Sequence, residues 1–197
     1  MARPLIRLGA LSMAAFLALP IVAPLACRVP KTAEITQPDR ERMSQFDASR
    51  VRALGEALLS TDSGDRAILS ALFTPAVEPI DTMPDGAYRC RTIKLGGLLP
   101  LTPYGYFACA VSEGGTRIEK TSGSQRFTGT LTPTPGALFY QGALHYNDDP
   151  PLAYGDDAEM NQVGCVYKIE HLGIYRLELP FPLYESSHDV IELISAQ

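Results

Sequence analysis

From residue 87 onward the chain alternates. Tyr88, Cys90 and Thr92 interleave with Arg89, Arg91 and Ile93, and Phe107, Cys109 and Val111 interleave with Tyr106, Ala108 and Ala110. Successive side chains of a strand point to opposite faces, so a period of two predicts half-buried β-strands. Further runs of this kind occupy residues 116–121, 125–131, 138–146, 163–170, 174–179 and 190–194. Turn formers separate them, among them Gly96-Gly97, Gly114-Gly115, Ser122-Gly123, His171-Leu172-Gly173 and Phe181-Pro182. About eight short strands with short connections predict an antiparallel meander, and closing such a sheet on itself removes its exposed edges. The expected fold is therefore mainly β (α+β), a small barrel or strongly curved sheet.

Upstream of residue 87 the period is helical. Met43, Phe46, Val51, Leu54 and Leu58 recur near the helical repeat and predict one helix over residues 38–59. Ile68, Leu69 and Leu72 predict a second over residues 65–73, with Asp62 or Ser63 placed to cap it. Pro75, Pro79 and Pro84 then break the chain into an extended connector ending at Asp85-Gly86. The expected organisation is a leader over residues 1–26, a linker over 27–37 and a single domain over 38–197. Within that domain, residues 38–73 are helical and 87–195 β.

The leader is expected because Arg3 and Arg7 precede an apolar run from Leu8 to about Ala23 that contains no charge. A secretory signal peptide has this pattern, whereas a membrane span needs roughly 20 apolar residues and tolerates Pro20 poorly. Leu25-Ala26-Cys27 ends the run with a small residue before a cysteine, the order that precedes lipid-modified cysteines, although Pro24 departs from that pattern. Two outcomes stay open: a lipid anchor on Cys27, or ordinary cleavage nearby. Both place the domain on the oxidising side of a membrane, in the periplasm or facing it.

That compartment permits disulfides among the four cysteines. Cys90 and Cys109 each sit in a strand-like run, and the segment between them suits a hairpin with an extended loop, so they are the expected pair. With Cys27 lipidated, Cys165 would be left unpaired. Neither CxxC nor cysteine with histidine at ligand spacing occurs, so no metal and no cofactor are expected. The formal net charge of −5 and the absence of basic runs argue against nucleic acid.

Candidate chemistry is sparse. Ser124 lies in a Gly-Ser turn without the order of a nucleophile elbow. His188 and Asp189 are neighbours on a strand and point to opposite faces, which places them poorly for a triad. Asp148, Asp149, Asp156, Asp157 and Glu159 match no calcium loop and read as a solvated connection over residues 147–162. The basic set Arg89, Arg91, Lys94, Lys120 and Arg126 could meet an anionic ligand inside the sheet's concavity. The opposing account is structural ion pairing, with Glu185 or Asp189 returned beside a buried Arg126. The nine tyrosines fit a sugar- or peptide-binding face or, more commonly, half-buried strand positions.

Ala87-Tyr88-Arg89-Cys90-Arg91-Thr92-Ile93-Lys94-Leu95-Gly96, residues 104–109, Lys120-Thr121-Ser122-Gly123-Ser124-Gln125-Arg126 with Gly129, Arg176-Leu177-Glu178-Leu179-Pro180-Phe181-Pro182, Glu185-Ser186 and Asp189-Val190-Ile191-Glu192-Leu193 resemble the bacterial domain-of-unknown-function family 4893. The resemblance spans residues 38–195. It implies an exported domain and transfers no reaction. Cys90 and Cys109 fit the family pattern, while Cys165 and the lack of tryptophan depart from it. Mapped onto the reading above, it marks Arg91, Lys94, Gln125, Arg126, Glu185 and Asp189 as residues to test for ligand binding.

Three functions follow as expectations. The first is a noncatalytic envelope module for a small ligand or an envelope protein, meeting a membrane only through a lipid on Cys27; it expects a concave face with Arg126 unpaired. The second is an envelope hydrolase using Glu185, Asp189 or His188, which expects carboxylates converging in a pocket and a shifted pKa. The third is a structural or inhibitory domain, which expects Arg126 paired and no pocket.

Overall fold

A computed structural model describes residues 27–196, and the leader expected over residues 1–26 lies outside them. The first helix, α1 (Gln37–Ser44), starts where Thr36 Oγ1 accepts the Asp39 amide and Pro38 occupies the first turn. The single helix expected over residues 38–59 is instead two, α1 and α2 (Phe46–Ala57), parted at Gln45. Ser44 Oγ donates back to the Glu41 carbonyl at 2.8 Å, a local bond that competes with the helical ladder and bends it. The bend lets Phe46 bury while Ser49, Ala53 and Ala57 line the inward face of α2. Such small residues let the helix lie close against a sheet. The helix α3 (Ser63–Phe73) is capped by Asp62, which accepts from Gly64 and Asp65, and it buries Leu69 and Leu72.

The alternating runs form β2 (Gly86–Leu95), β4 (Phe107–Ser112), β5 (Arg117–Lys120), β6 (Gln125–Thr134), β7 (Ala137–Tyr146), β8 (Asn161–Ile169), β9 (Ile174–Pro180) and β10 (His188–Ser195). Each pairs antiparallel with the next, and β10 returns to pair with β2, which closes an eight-stranded up-and-down barrel. Two short strands, β1 (Val77–Glu78) on β8 and β3 (Leu101–Pro103) on β2, lie outside the ring. Both are too short to carry a readable period.

One core fills the barrel, from Tyr88 and Cys90 through Phe127, Tyr140 and Leu177 to Ile191 and Leu193. Ile80 and Met83 of the proline-rich connector join this core, and Asp85 accepts the Gly114 and Gly115 amides of the β4–β5 turn. The connector thus stoppers one end of the barrel. Outside it, α2 and α3 cover Ile93, Leu95 and Val190, while Phe46 packs with Cys165 and Tyr167.

Two disulfides are present, Cys90–Cys109 as expected and Cys27–Cys165. The second corrects the expectation for Cys165, which is bonded rather than unpaired. It also occupies the sulfur that a lipid on Cys27 would need, since one sulfur cannot hold both bonds. Disulfides persist in oxidising compartments, so the pair points to folding in one. Among the described residues no helix is long and apolar enough to cross a membrane.

Candidate functional site

The barrel end opposite the connector opens into a pocket of about 500 Å³. Strand ends position its walls. Alternation carries Lys94 of β2, Gln125 of β6, Gln162 of β8 and Asp189 of β10 to the barrel's inner side, where they form a polar floor above the apolar core. Beneath them Tyr140, fully buried, donates its hydroxyl to Gln162 Oε1 at 3.2 Å. Burial drives the Tyr140 phenol far above its usual pKa, so it serves as a donor at every physiological pH. Lys120 supports Gln125 from the side, donating to its carbonyl at 2.7 Å while lying 4.4 Å from the centre of the Phe107 ring.

The β9–β10 loop makes the rim. Phe181 and Glu185 adopt positive φ there, and the Glu185 carbonyl accepts the Leu98 amide at 2.9 Å. This close crossing requires Gly97, whose φ is +82 and where a Cβ would fall 2.3 Å from the Glu185 oxygen. Leu98, Leu183 and Tyr184 stand on the rim with 79%, 53% and 53% of their surfaces exposed. These exposed apolar groups surround the polar floor.

The charges in the pocket are unevenly matched. Lys94 Nζ is bonded to Glu185 Oε2, an arrangement that holds its ammonium above the usual range despite opposing burial. Arg42 is tied to Asp39 behind the wall. Asp189 is 8% exposed and its one hydrogen bond among the described residues comes from Ser186 Oγ to Oδ1. Burial raises the Asp189 carboxyl above the ordinary range, and the Ser186 bond and the Lys94 charge only partly offset that.

Of the residues singled out from sequence, Lys94, Gln125, Glu185 and Asp189 meet at this pocket. Arg91 and Arg126 do not. Arg91 faces outward, paired with Glu192 and lying over the Tyr106 ring. Arg126 bonds the Gly123 carbonyl and Asp148 at 3.1 Å, so the expectation of an unpaired Arg126 in the concavity is corrected. Of its anticipated partners, Glu185 bonds Lys94 instead, and Asp189 lies across from Lys94 without bonding it. The register explains this, because Asp189 lies directly across from Lys94 whereas Arg126 opposes His145. Of the acidic residues 148–159, Asp156 accepts the Ala153 amide and Asp157 that of Glu159 within their own loop, while Asp148 pairs with Arg126 and Glu159 lines the pocket. Among the described residues no cluster of three or more His, Cys, Asp or Glu side chains is placed to hold a metal.

His188 points the other way. On the barrel's outer face Ser49 Oγ lies 2.8 Å from His188 Nδ1, and His188 Nε2 lies 3.0 Å from Glu178 Oε2. The order serine, histidine, carboxylate resembles a catalytic triad, but all three side chains are wholly buried beneath α2. Ser49 Oγ also sits 2.8 Å from the Ser187 carbonyl and accepts the Phe181 amide, so its single proton is contested within the protein. Burial works against ionisation of Glu178, yet His188, Arg176 and Arg50 together hold its carboxyl at about 2. This cluster fastens α2 to the barrel and has no opening to a substrate. Sequence reading missed it because Ser49, Glu178 and His188 come from three separate elements with no spacing signal.

Fold and site together define a small up-and-down barrel, stoppered at one end and carrying a pocket at the other. The chain belongs to the family described as Domain of unknown function (DUF4893), whose model matches residues 31–193. No curated protein and no solved structure matches it.

Proposed function

We propose that this protein is a noncatalytic binding module of the cell envelope, exported through its leader and holding a small amphipathic ligand at the open end of the barrel. The observation that carries the reading is the pocket itself: a polar floor of Lys94, Gln125, Gln162 and Asp189 beneath exposed Leu98, Leu183 and Tyr184. A site with an apolar mouth and a few convergent polar groups is suited to binding and orienting a small molecule. Purified protein titrated with N-phenylnaphthylamine, an uncharged dye that brightens in apolar surroundings, is expected to give saturable binding at one site. Leu144→Trp, which fills the pocket, is expected to abolish it. A linear, unsaturable response, or saturable binding that Leu144→Trp leaves intact, overturns the reading.

For localisation, we propose a soluble periplasmic protein, because Cys27 Sγ is engaged with Cys165. Intact mass of protein from its native host is expected to show no acyl chains and to rise on reduction by two hydrogens for each of the two disulfides. A diacyl mass on a chain beginning at Cys27 overturns the proposal and makes the protein a lipoprotein.

Hydrolysis is the second reading, favoured by one observation: Glu185 and the raised carboxyl of Asp189 share a pocket. Its weakness is that Glu185 is engaged by Lys94 and His188 faces away. It predicts turnover of chromogenic esters or glycosides that Asp189→Asn abolishes.

A further inference from the structure

The early-strand cations point toward an anionic ligand, but the charges at the open end of the barrel have the opposite balance. Lys94 is bonded to Glu185, and Arg42 to Asp39. The pocket lining adds two more acids, Asp189 and Glu159, and no further cation. Lys94, Glu185 and Asp189 therefore sum to one negative charge when all are ionised. That charge belongs to Asp189, which is more than nine-tenths buried and has no cation bonded to it. Ser186 occupies Oδ1, and Oδ2 is left without a donor at the pocket floor. Asp189 lines the pocket, so a ligand donor can take up the free edge of this carboxylate in place of water.

We infer that the ligand carries a protonated amine or guanidinium that binds Asp189 Oδ2, with an apolar body lying between Leu98, Leu183 and Tyr184. This rests on the pocket's being a binding site and names the chemical class it takes. Burial raises the Asp189 carboxyl above its ordinary range, and a cation bonded to Oδ2 would favour its charged form. Glu185 has a matching role: by holding Lys94 it keeps the ammonium from turning to Asp189, which lies directly across from it in the β2–β10 register. Selectivity for a cation thus depends on two carboxylates, one that binds it and one that occupies the competing lysine.

Displacement of bound N-phenylnaphthylamine by probes of equal length tests this. Hexylammonium is expected to displace the dye at about tenfold lower concentration than hexanol, the margin of one charge-assisted hydrogen bond, and hexanoate is expected to be weakest. Asp189→Asn is expected to bring hexylammonium to the level of hexanol, each displacement read against the dye affinity of that same variant. Glu185→Gln, which releases Lys94, is expected to erase the ammonium preference and improve hexanoate. If hexanoate or hexanol displaces the dye as well as hexylammonium from the unsubstituted protein, the inference is overturned while the binding site stands. If the dye does not bind saturably at all, the binding reading fails and takes the inference with it. The order of probes on the unsubstituted protein decides the matter even if Asp189→Asn does not fold.

Discussion

Glu178 and Asp189 are both buried carboxylates in the outer and inner layers of neighbouring strands, and their surroundings drive them in opposite directions. Burial resists the charge of Glu178, but His188, Arg176 and Arg50 bring its carboxyl down to about 2 from 4.5. A carboxyl lowered on folding contributes stability that is present above the unfolded value and lost as pH falls through the folded one. Glu178 should therefore contribute on the order of 3 kcal/mol at neutral pH, declining between pH 4.5 and 2. Replacing it by glutamine leaves Arg176 and His188 without their carboxylate, and urea denaturation of Glu178→Gln is expected to show a loss of about 3–5 kcal/mol. Asp189 has the reverse sign. Its carboxyl is raised by burial, with Ser186, Lys94 and His188 pulling down and Glu185 pushing up. The protonated form suits the fold, so its contribution is present below the unfolded value of 3.8 and lost as pH rises through the folded one. Asp189→Asn is accordingly expected to raise Tm at neutral pH and to give no gain at pH 3, a pattern of stability given up at a binding site. A lower Tm for Asp189→Asn at neutral pH would mean that the carboxylate is structural.

At the scale of elements, three glycines explain how a sheet of ordinary strands makes a floor and a rim. Gly129 and Gly142 face each other across β6 and β7, and the Tyr140 ring lies over both. A Cβ at Gly142 would fall 2.3 Å from the Thr128 carbonyl and 2.4 Å from the Tyr140 hydroxyl. Gly142→Ala therefore displaces the tyrosine that supports Gln162, and is expected to lower both stability and dye affinity. Gly97→Ala is expected to act on the rim alone, because Gly97 lies where the β2–β3 and β9–β10 connections cross. Its thermal unfolding should change less than that of Gly142→Ala, while dye binding weakens; equal losses in Tm would show that rim and barrel do not separate. Arg50 links element to element in another way, lying over the Phe46 and Tyr167 rings while bonding Glu178. The break at Gln45 is what places Phe46 there.

On the scale of the whole molecule, closure organises everything else. Eight strands paired in sequence order leave one seam, β2 with β10, and that seam holds the Lys94–Asp189 register on the inside and Val190 under α2 and α3 on the outside. The Cys27–Cys165 bond joins residues 138 apart in sequence. In the chain-entropy model such a loop is worth about 5 kcal/mol, against about 3 kcal/mol for the nineteen-residue separation of Cys90 and Cys109. The double substitution Cys27→Ser with Cys165→Ser is expected to lower stability more than Cys90→Ser with Cys109→Ser, as read by denaturation midpoints at fixed protein concentration. The reverse order would show that packing around Cys90 and Cys109, which lie in the barrel core, outweighs loop closure.

Local chemistry was enough to read the strands and most of the helical segment. Alternation and the turn formers between short runs located all eight ring strands, although β9 and β10 are buried on both faces, and Asp62 marked the start of α3 through its cap. The Cys90–Cys109 pair was legible because both cysteines fall on the inner face of neighbouring strands. What could not be read was every pairing that depends on register or on which side of a closed surface a residue falls. Arg91 and Arg126 lie one residue out of phase with the inner face, and that single step sends them outward to Glu192 and Asp148. Lys94 and Asp189 lie in phase and meet ninety-odd residues apart. Cys165 pairs with Cys27, and Ser49 with the His188 that bonds Glu178, because the N-terminal segment lies across the outside of the barrel. Composition and period determine what each segment buries; the closure of the sheet decides which buried groups become neighbours.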